Sequence, residues 1–257
     1  MTQPRQVKLR RPSVANANEP HCACATCPAR RLNLCIMSKV GNPTTEQSAA
    51  TPLPPQSIHS VRAGRLVWHS REWTEDVIFI CHGWAISSII LEDGRRQILS
   101  LLLGGNLVST ASIFGALSGR SVEAVTDVIY RKFKRDDVRK ALLADTRTLE
   151  NISKEWIEER EQADQLAVDL GRRSAEERIA RCILNVVGRL CELANFTSGK
   201  TIYFPLRRRH ISDFTGLTTV HVSRILSKLR QSKLVEFKRS SLAITDVVGL
   251  RKLAQFF

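Results

Sequence analysis

The most constraining feature of this chain is a pair of short amphipathic helices between Phe204 and Thr245, with a turn at Gly216. After that glycine, apolar residues recur at intervals of three and four, so a second helix has one apolar face: Val222, Ile225, Leu226 and Leu229. Two short β-prone runs around a basic tip at Lys238–Arg239 follow. This order predicts a winged helix-turn-helix, in which the second helix enters the DNA major groove.

The other face of the second helix carries polar and cationic side chains that can reach base edges or phosphates. An arginine such as Arg224 can donate two hydrogen bonds to guanine, and Ser223 can bond a base or a phosphate. The candidate contacts with double-stranded DNA are Arg207, Thr219, Val220, His221, Ser223, Arg224 and Lys228. On spacing alone, an ordinary helix pair with a solvated basic face explains the pattern equally well. The formal net charge of +14 favours DNA, because such an excess attracts a polyanion.

A seven-residue apolar repeat before this region predicts a long helix with a coiled-coil dimer seam. The seam residues are Leu149, Ile152, Trp156, Glu159, Ala163, Leu166 and Leu170. A helix packed on its own domain is the alternative, but a helix-turn-helix protein usually works on two half-sites, which favours a homodimer. Glu159 interrupts the stripe, so we expect it to make dimerisation marginal. Ser174 and Glu177 form a capping box that begins the next helix.

The middle of the chain consists of short β-prone runs separated by glycine turns, such as Asp93–Gly94. This pattern predicts an antiparallel β-roll, and the fold class is therefore α+β. We expect five regions: a disordered segment with a cysteine cluster (1–36), a linker (37–57), the β-roll sensor domain (58–134), a dimerisation helix (135–171) and the winged helix-turn-helix domain (172–257).

Four of the seven cysteines lie within one short N-terminal segment: Cys22, Cys24, Cys27 and Cys35. Thiolates suit soft-metal centres, so zinc, an iron–sulfur cluster and uncoordinated thiols all remain open from the spacing. Cys81 is a further possible ligand, whereas Cys182 and Cys191 are expected to be small core residues.

Several classes of protein are disfavoured by the sequence. No apolar run approaches the ~20 residues of a membrane helix, and the N-terminus has no hydrophobic segment of the kind that a secretory signal carries. We therefore expect a cytoplasmic protein without a membrane partner. There is neither a phosphate-binding glycine loop nor an HExxH motif, so we do not expect an enzyme.

The order of roll, long helix and winged helix resembles the CRP/FNR family of bacterial transcription regulators over roughly residues 58–257. The most specific segments are Ala175-Glu-Glu-Arg-Ile-Ala180 and Gly216-Leu-Thr-Thr-Val-His-Val-Ser-Arg224. The resemblance implies a homodimer on a palindromic operator, base contacts by Ser223 and Arg224, and a contact of the Asp93–Gly94 hairpin with RNA polymerase.

The helix-turn-helix departs from the family pattern at three positions. Val220 stands where the family usually has Glu, His221 replaces a usual Thr, and Arg207 replaces the usual helix-capping Thr. A glutamate would accept a hydrogen bond from cytosine, whereas valine makes only apolar contacts. We therefore expect a shifted half-site preference, and a weaker cap that Arg207 exchanges for a phosphate contact.

The N-terminal cysteines resemble those of oxygen-sensing FNR-type members, which implies a [4Fe–4S] cluster that oxygen or nitric oxide destroys. Those members take a fourth ligand from the roll, where Arg131 stands here and cannot ligate. Cys22 or Cys81 would have to replace it, and structural zinc remains the alternative. A ferredoxin-type electron carrier would use the same cysteines but would leave the winged helix without a role.

Control by a cyclic nucleotide is the main rival within the same fold. Arg120–Ser121 matches the phosphate-binding pair of the nucleotide-binding members. The pair that binds the ribose corresponds to Ser109–Thr110, which has no carboxylate.

Overall fold

The computed structural model describes residues 57–69, 75–115, 119–190 and 198–255. In these residues a β-roll is followed by helices and a small C-terminal winged helix-turn-helix, which confirms the α+β class. The roll comprises β1 (Ser57–Val61), β2 (Leu66–Trp68), β3 (Asp76–His82), β4 (Ala85–Ile90), β5 (Arg96–Leu102), a 3₁₀ helix (Thr110–Phe114), β6 (Ser121–Ala124) and β7 (Val128–Lys134).

Two antiparallel sheets form the roll. One has the strand order β1-β7-β3 and the other has the order β2-β6-β4-β5. The β4–β5 hairpin turns at the predicted position, where the Leu91 amide donates to the Arg95 carbonyl at 2.8 Å. Gly94 has φ +83°, a left-handed conformation that glycine adopts without strain.

Residues 135–171, which we predicted as one dimerisation helix, form two helices: α1 (Arg135–Ala144) and α2 (Thr146–Arg172). Asp145 separates them because its backbone is extended. Its carboxylate accepts hydrogen bonds from the Arg147 amide at 3.1 Å and the Thr148 hydroxyl at 2.8 Å. This is an N-cap, a signal that lies inside an otherwise continuous helical pattern.

The C-terminal region contains α3 (Ala175–Leu190), β8 (Thr201–Tyr203), α4 (Arg208–Thr215), α5 (Thr219–Gln231), β9 (Val235–Lys238), β10 (Ser241–Ile244) and α6 (Val247–Ala254). The predicted capping box starts α3: the Ser174 amide donates to the Glu177 carboxylate at 2.7 Å, and the Glu177 amide donates to the Ser174 hydroxyl at 3.4 Å. The wing is a three-stranded sheet in the order β8-β10-β9.

The roll and the C-terminal region share one apolar core. Trp84 and Ile98 of the roll are fully buried together with Ile183 of α3. The Trp84 ring also meets the Tyr203 ring edge-on, with centroids 6.1 Å apart. Burial of this extent holds the two parts in a defined arrangement. Among the described helices, none combines the length and the apolarity that crossing a bilayer requires.

Candidate nucleic-acid interface

The turn between α4 and α5 is built as the sequence predicted. Gly216 ends α4 with φ +67°, and its amide donates to the Ser212 carbonyl. The Thr218 side chain caps α5 by accepting from the His221 amide at 3.2 Å. Val222, Ile225 and Leu229 are buried, so the opposite face of α5 points outward.

Most of the predicted DNA contacts lie on that outward face. Thr219, Val220, His221 and Arg224 are exposed, and Val220 is 69% exposed. Ser223 is half-buried, and its hydroxyl donates to the Thr219 carbonyl at 2.8 Å. The hydroxyl would have to release that carbonyl to donate to a base, whereas its oxygen can accept from a base without doing so.

Lys228 differs from the prediction in its surroundings. Its ammonium group lies 2.5 Å from a carboxylate oxygen of Glu176 in α3. The lysine is therefore already paired, and a phosphate would have to compete with that carboxylate. No signal in the local sequence links these two residues, because they are brought together only by the packing of α3 against α5.

A cavity of about 600 Å³ lies between α4, the C-terminal half of α5, the wing and two turns of the roll. Four arginines line it: Arg207, Arg208, Arg230 and Arg239. Arg208 and Arg230 were missed by the sequence reasoning, which considered mainly the first turns of α5. The concentration of guanidinium groups makes this face of the domain suited to a phosphate backbone.

His210 lies in the first turn of α4, three residues after the N-cap residue Arg207. Its Nδ1 atom accepts from the Arg207 amide at 3.1 Å, while the Arg207 side chain has no acceptor atom. Burial, together with the positive charges of the nearby Arg209 and Arg96, lowers the pKa of His210 to about 4. The ring is therefore neutral at physiological pH and serves as an acceptor. The Arg207 side chain makes no cap hydrogen bond, as expected, while His210 supplies the other half of a capping box.

Ion pairs join the roll to α4. Arg96 of β5 lies 2.6 Å from Glu123 of β6 and 2.6 Å from Asp213 of α4. The side-chain amide of Gln97 donates from Nε2 to the Phe214 carbonyl at 3.1 Å. The helix that precedes α5 is thus held directly by a strand of the roll.

The predicted dimer seam is divided between two faces of α2. Leu149, Trp156 and Ala163 are exposed, whereas Leu166 and Leu170 are half-buried. The assignment of Ile152 to the dimer seam is corrected, because its side chain is 1% exposed and packs in the core of its own roll. The alternative of a helix packed on its own domain therefore holds for that side of α2.

Glu159 is bound within its own subunit. Its carboxylate accepts from Arg120 at 2.8 Å and from the Thr110 hydroxyl at 2.6 Å, both in the roll. Glu159 therefore faces the roll, and the expectation that it makes dimerisation marginal stays a prediction.

Phe114 extends the exposed apolar surface of α2. It is exposed and its ring centroid lies 5.8 Å from that of Trp156. Arg135 and Arg139 of α1 fix the 3₁₀ helix by donating to the Ser112 and Ile113 carbonyls, each at 2.8 Å. The sequence carried little signal that Phe114 would join the exposed apolar surface, since it lies outside any periodic segment.

The outcome of the cysteine predictions depends on where each cysteine lies. Cys22, Cys24, Cys27 and Cys35 lie outside the described residues, as does Cys191, so the metal centre stays a prediction. Cys182 is buried, which raises the pKa of its thiol to about 12 and matches a core residue. Cys81 is half-buried in β3. In the part of the chain that the structure describes, no three potential ligands among His, Cys, Asp and Glu come together.

Family models match both halves of the chain. The Crp-like helix-turn-helix domain matches residues 177–253, and the cyclic nucleotide-binding domain matches residues 58–145. The first covers α3 through most of α6, and the second covers the roll and α1.

Individual relatives cover most of the chain. Transcriptional activatory protein AadR of Rhodopseudomonas palustris is 31% identical over 175 residues, which covers 68% of this chain and 72% of AadR. Transcriptional activator protein FnrL of Cereibacter sphaeroides is 25% identical over 230 residues, which covers 88% and 90%. The solved structure of FixK2 from Bradyrhizobium japonicum superposes with a TM-score of 0.66 at 28% identity, covering 77% of this chain and 96% of FixK2.

Proposed function

The chain belongs to the CRP/FNR family of transcription regulators, and on that premise we propose that it binds a palindromic DNA site as a homodimer. One α5 would enter the major groove of each half-site. The observation that carries this proposal is the outward polar face of α5 with its exposed Arg224, next to the arginine-lined cavity. Arg224 supplies direct base readout, and the surrounding arginines supply contacts to phosphates.

The exposed side of α2 supports dimerisation. Leu149, Trp156 and Phe114 together present an apolar surface of a kind that soluble monomers rarely expose. A second copy of the chain can cover it by placing its own α2 alongside.

We propose that a [4Fe–4S] cluster controls this regulator. Four closely spaced thiols form a complete donor set of the type that holds such clusters, with Cys22 in place of a ligand from the roll. The roll offers no ligand at Arg131, a buried guanidinium in β7. Structural zinc at the same thiols is the second candidate. When bound, a cluster would supply sensitivity to oxygen.

A spectrum distinguishes these two metals. Protein purified without oxygen should show broad visible charge-transfer absorption that is lost in air, with iron and sulfide present in equal amounts. A colourless protein that contains zinc would contradict control by a cluster, but it would not contradict the proposal that the protein binds DNA.

RNA polymerase is a proposed partner of the β4–β5 hairpin. Ile89, Ile90 and Leu91 are exposed beside the turn at Asp93–Gly94. Apolar residues at a hairpin tip favour a protein partner over solvent.

The DNA proposal is tested by footprinting on genomic fragments, followed by affinity measurements on the protected site. Arg224→Ala should weaken binding by about 1–3 kcal/mol, because it removes a two-bond contact to guanine. Lys252→Ala is the matched control, since it removes one positive charge from an exposed position on α6. Equal losses in the two variants would show that charge alone, and not base reading, drives binding.

A further inference from the structure

One contact between α2 and the roll has the form of an occupied anion site. Arg120 donates from Nη1 to the Glu159 Oε1 atom at 2.8 Å. Thr110 donates to Oε2 twice, from its hydroxyl at 2.6 Å and from its amide at 3.3 Å. Three donors from two separate segments of the roll thus converge on a single carboxylate.

The donor set is chemically suited to anions in general. A guanidinium group, a hydroxyl and a backbone amide are the groups that proteins use to bind phosphate as well as carboxylate. The roll also matches the cyclic nucleotide-binding domain, whose ligands carry a phosphate. Arg120, the residue that would meet that phosphate, instead faces Glu159 at a half-buried position.

We propose that Arg120 and Thr110 form an anion site in the sensor roll, and that the chain fills this site with its own Glu159. The carboxylate acts as a built-in ligand that ties α2 to the roll. A tethered group has an effective concentration of the order of millimolar or higher. Free phosphates or cyclic nucleotides at lower concentrations therefore do not displace it.

Neither the roll nor α2 carries a proposed DNA contact, so the anion site is tested without DNA. Glu159→Ala vacates the site, and inorganic phosphate should then bind. The Tm of the full-length variant should rise by roughly 3–5 °C when phosphate reaches about tenfold its Kd, compared with chloride at equal ionic strength. Wild-type protein should show no such rise, because Glu159 occupies the site.

Two controls isolate the site from the basic DNA-binding surface, which also attracts phosphate. Glu158→Ala removes the neighbouring exposed carboxylate and should behave like wild type. The double variant Arg120→Ala/Glu159→Ala should lose the phosphate response. A response in Glu159→Ala no larger than that in Glu158→Ala would overturn the proposal.

A second measurement remains available if the alanine variant does not fold. Arg120→Gln and Glu159→Gln each remove one charge of the ion pair, and Glu159→Gln also preserves the shape of the side chain. In a thermodynamic cycle, the double variant should lose less Tm than the two single variants together. Strictly additive losses would mean that the two side chains do not interact, which also overturns the proposal.

Discussion

At the scale of single residues, unusual side chains at key positions become understandable from the neighbour that each contacts. Arg207 precedes α4 at a position that normally needs an acceptor, and a guanidinium cannot accept. His210, three residues later, accepts from the Arg207 amide, which is the other half of a capping box. The reading surface therefore gains an exposed cation at Arg207, and the Arg207 amide is still paired.

The neutral state of His210 leads to a prediction about pH. Its pKa is about 4 in the folded protein and about 6.5 in the unfolded chain. Between these values the unfolded chain binds more protons, so the free energy of unfolding falls as pH decreases from 6.5 to 4. The contribution is fully present above pH 6.5, and the loss over this window amounts to about 3 kcal/mol.

His210→Gln removes this titration while keeping an acceptor at the same position of α4. Urea unfolding at several pH values between 4 and 7.5 should therefore give a flatter profile for the variant than for wild type. The other titrating groups are common to both proteins and cancel in the difference. Parallel profiles would show that His210 is not the responsible group.

Val220 leads to a prediction about sequence preference. Its side chain is exposed in the first turn of α5 and has no hydrogen-bonding group. Val220→Glu would supply a carboxylate that accepts from cytosine N4, with discrimination of about 1–3 kcal/mol. Selection from randomised DNA should show a new cytosine at one position of each half-site. Val248→Glu, on α6, adds the same charge at another exposed valine and should leave the selected sequence unchanged.

At the scale of elements, strand β5 and helix α4 form the connection through which the roll can affect the reading helix. The side chain of Arg96 is largely buried between two carboxylates, Glu123 and Asp213, one in each part of the molecule. Removal of the arginine leaves Asp213 without this cation and Glu123 with a longer contact to Arg209 at 3.4 Å, both at half-buried positions, which is costly.

Arg96→Ala should therefore destabilise the protein by about 1–3 kcal/mol and loosen α4. Hydrogen exchange should become faster in α4 and in β5. The adjacent Arg95→Ala is a matched control, because Arg95 pairs with Asp93 at a solvent-exposed hairpin tip, where water and salt screen the contact. Similar exchange rates in the two variants would indicate that the Arg96 pairs do not couple the two parts.

The sequence predicted the elements well but not the direction in which their side chains face. The helix-turn-helix was predictable because Gly216 and the buried stripe of α5 are local signals. The α2 stripe was locally visible too, but Ile152 and Glu159 face the roll because of tertiary partners that lie far from them in the sequence. Periodicity locates an apolar face; it does not identify which surface covers it.

At the scale of the whole molecule, recognition of a palindrome requires two reading helices held at a fixed distance. The exposed part of α2 is the surface that can supply this geometry. Trp156 is central to it, with 58% of its surface exposed and Phe114 beside it. Large aromatic residues at the centre of an interface carry a disproportionate share of the binding energy.

Trp156→Glu should therefore convert the dimer to a monomer, because the partner helix would bury an unpaired carboxylate. Sedimentation should show half the mass, and affinity for a full palindrome should fall roughly tenfold or more, since the two half-sites are no longer bound together. Lys154→Gln, an exposed position on the same helix, lowers the net charge by the same amount and should stay dimeric. A dimeric Trp156→Glu variant with unchanged affinity would mean that another surface joins the subunits, and the exposed apolar residues of α2 would then need a different partner.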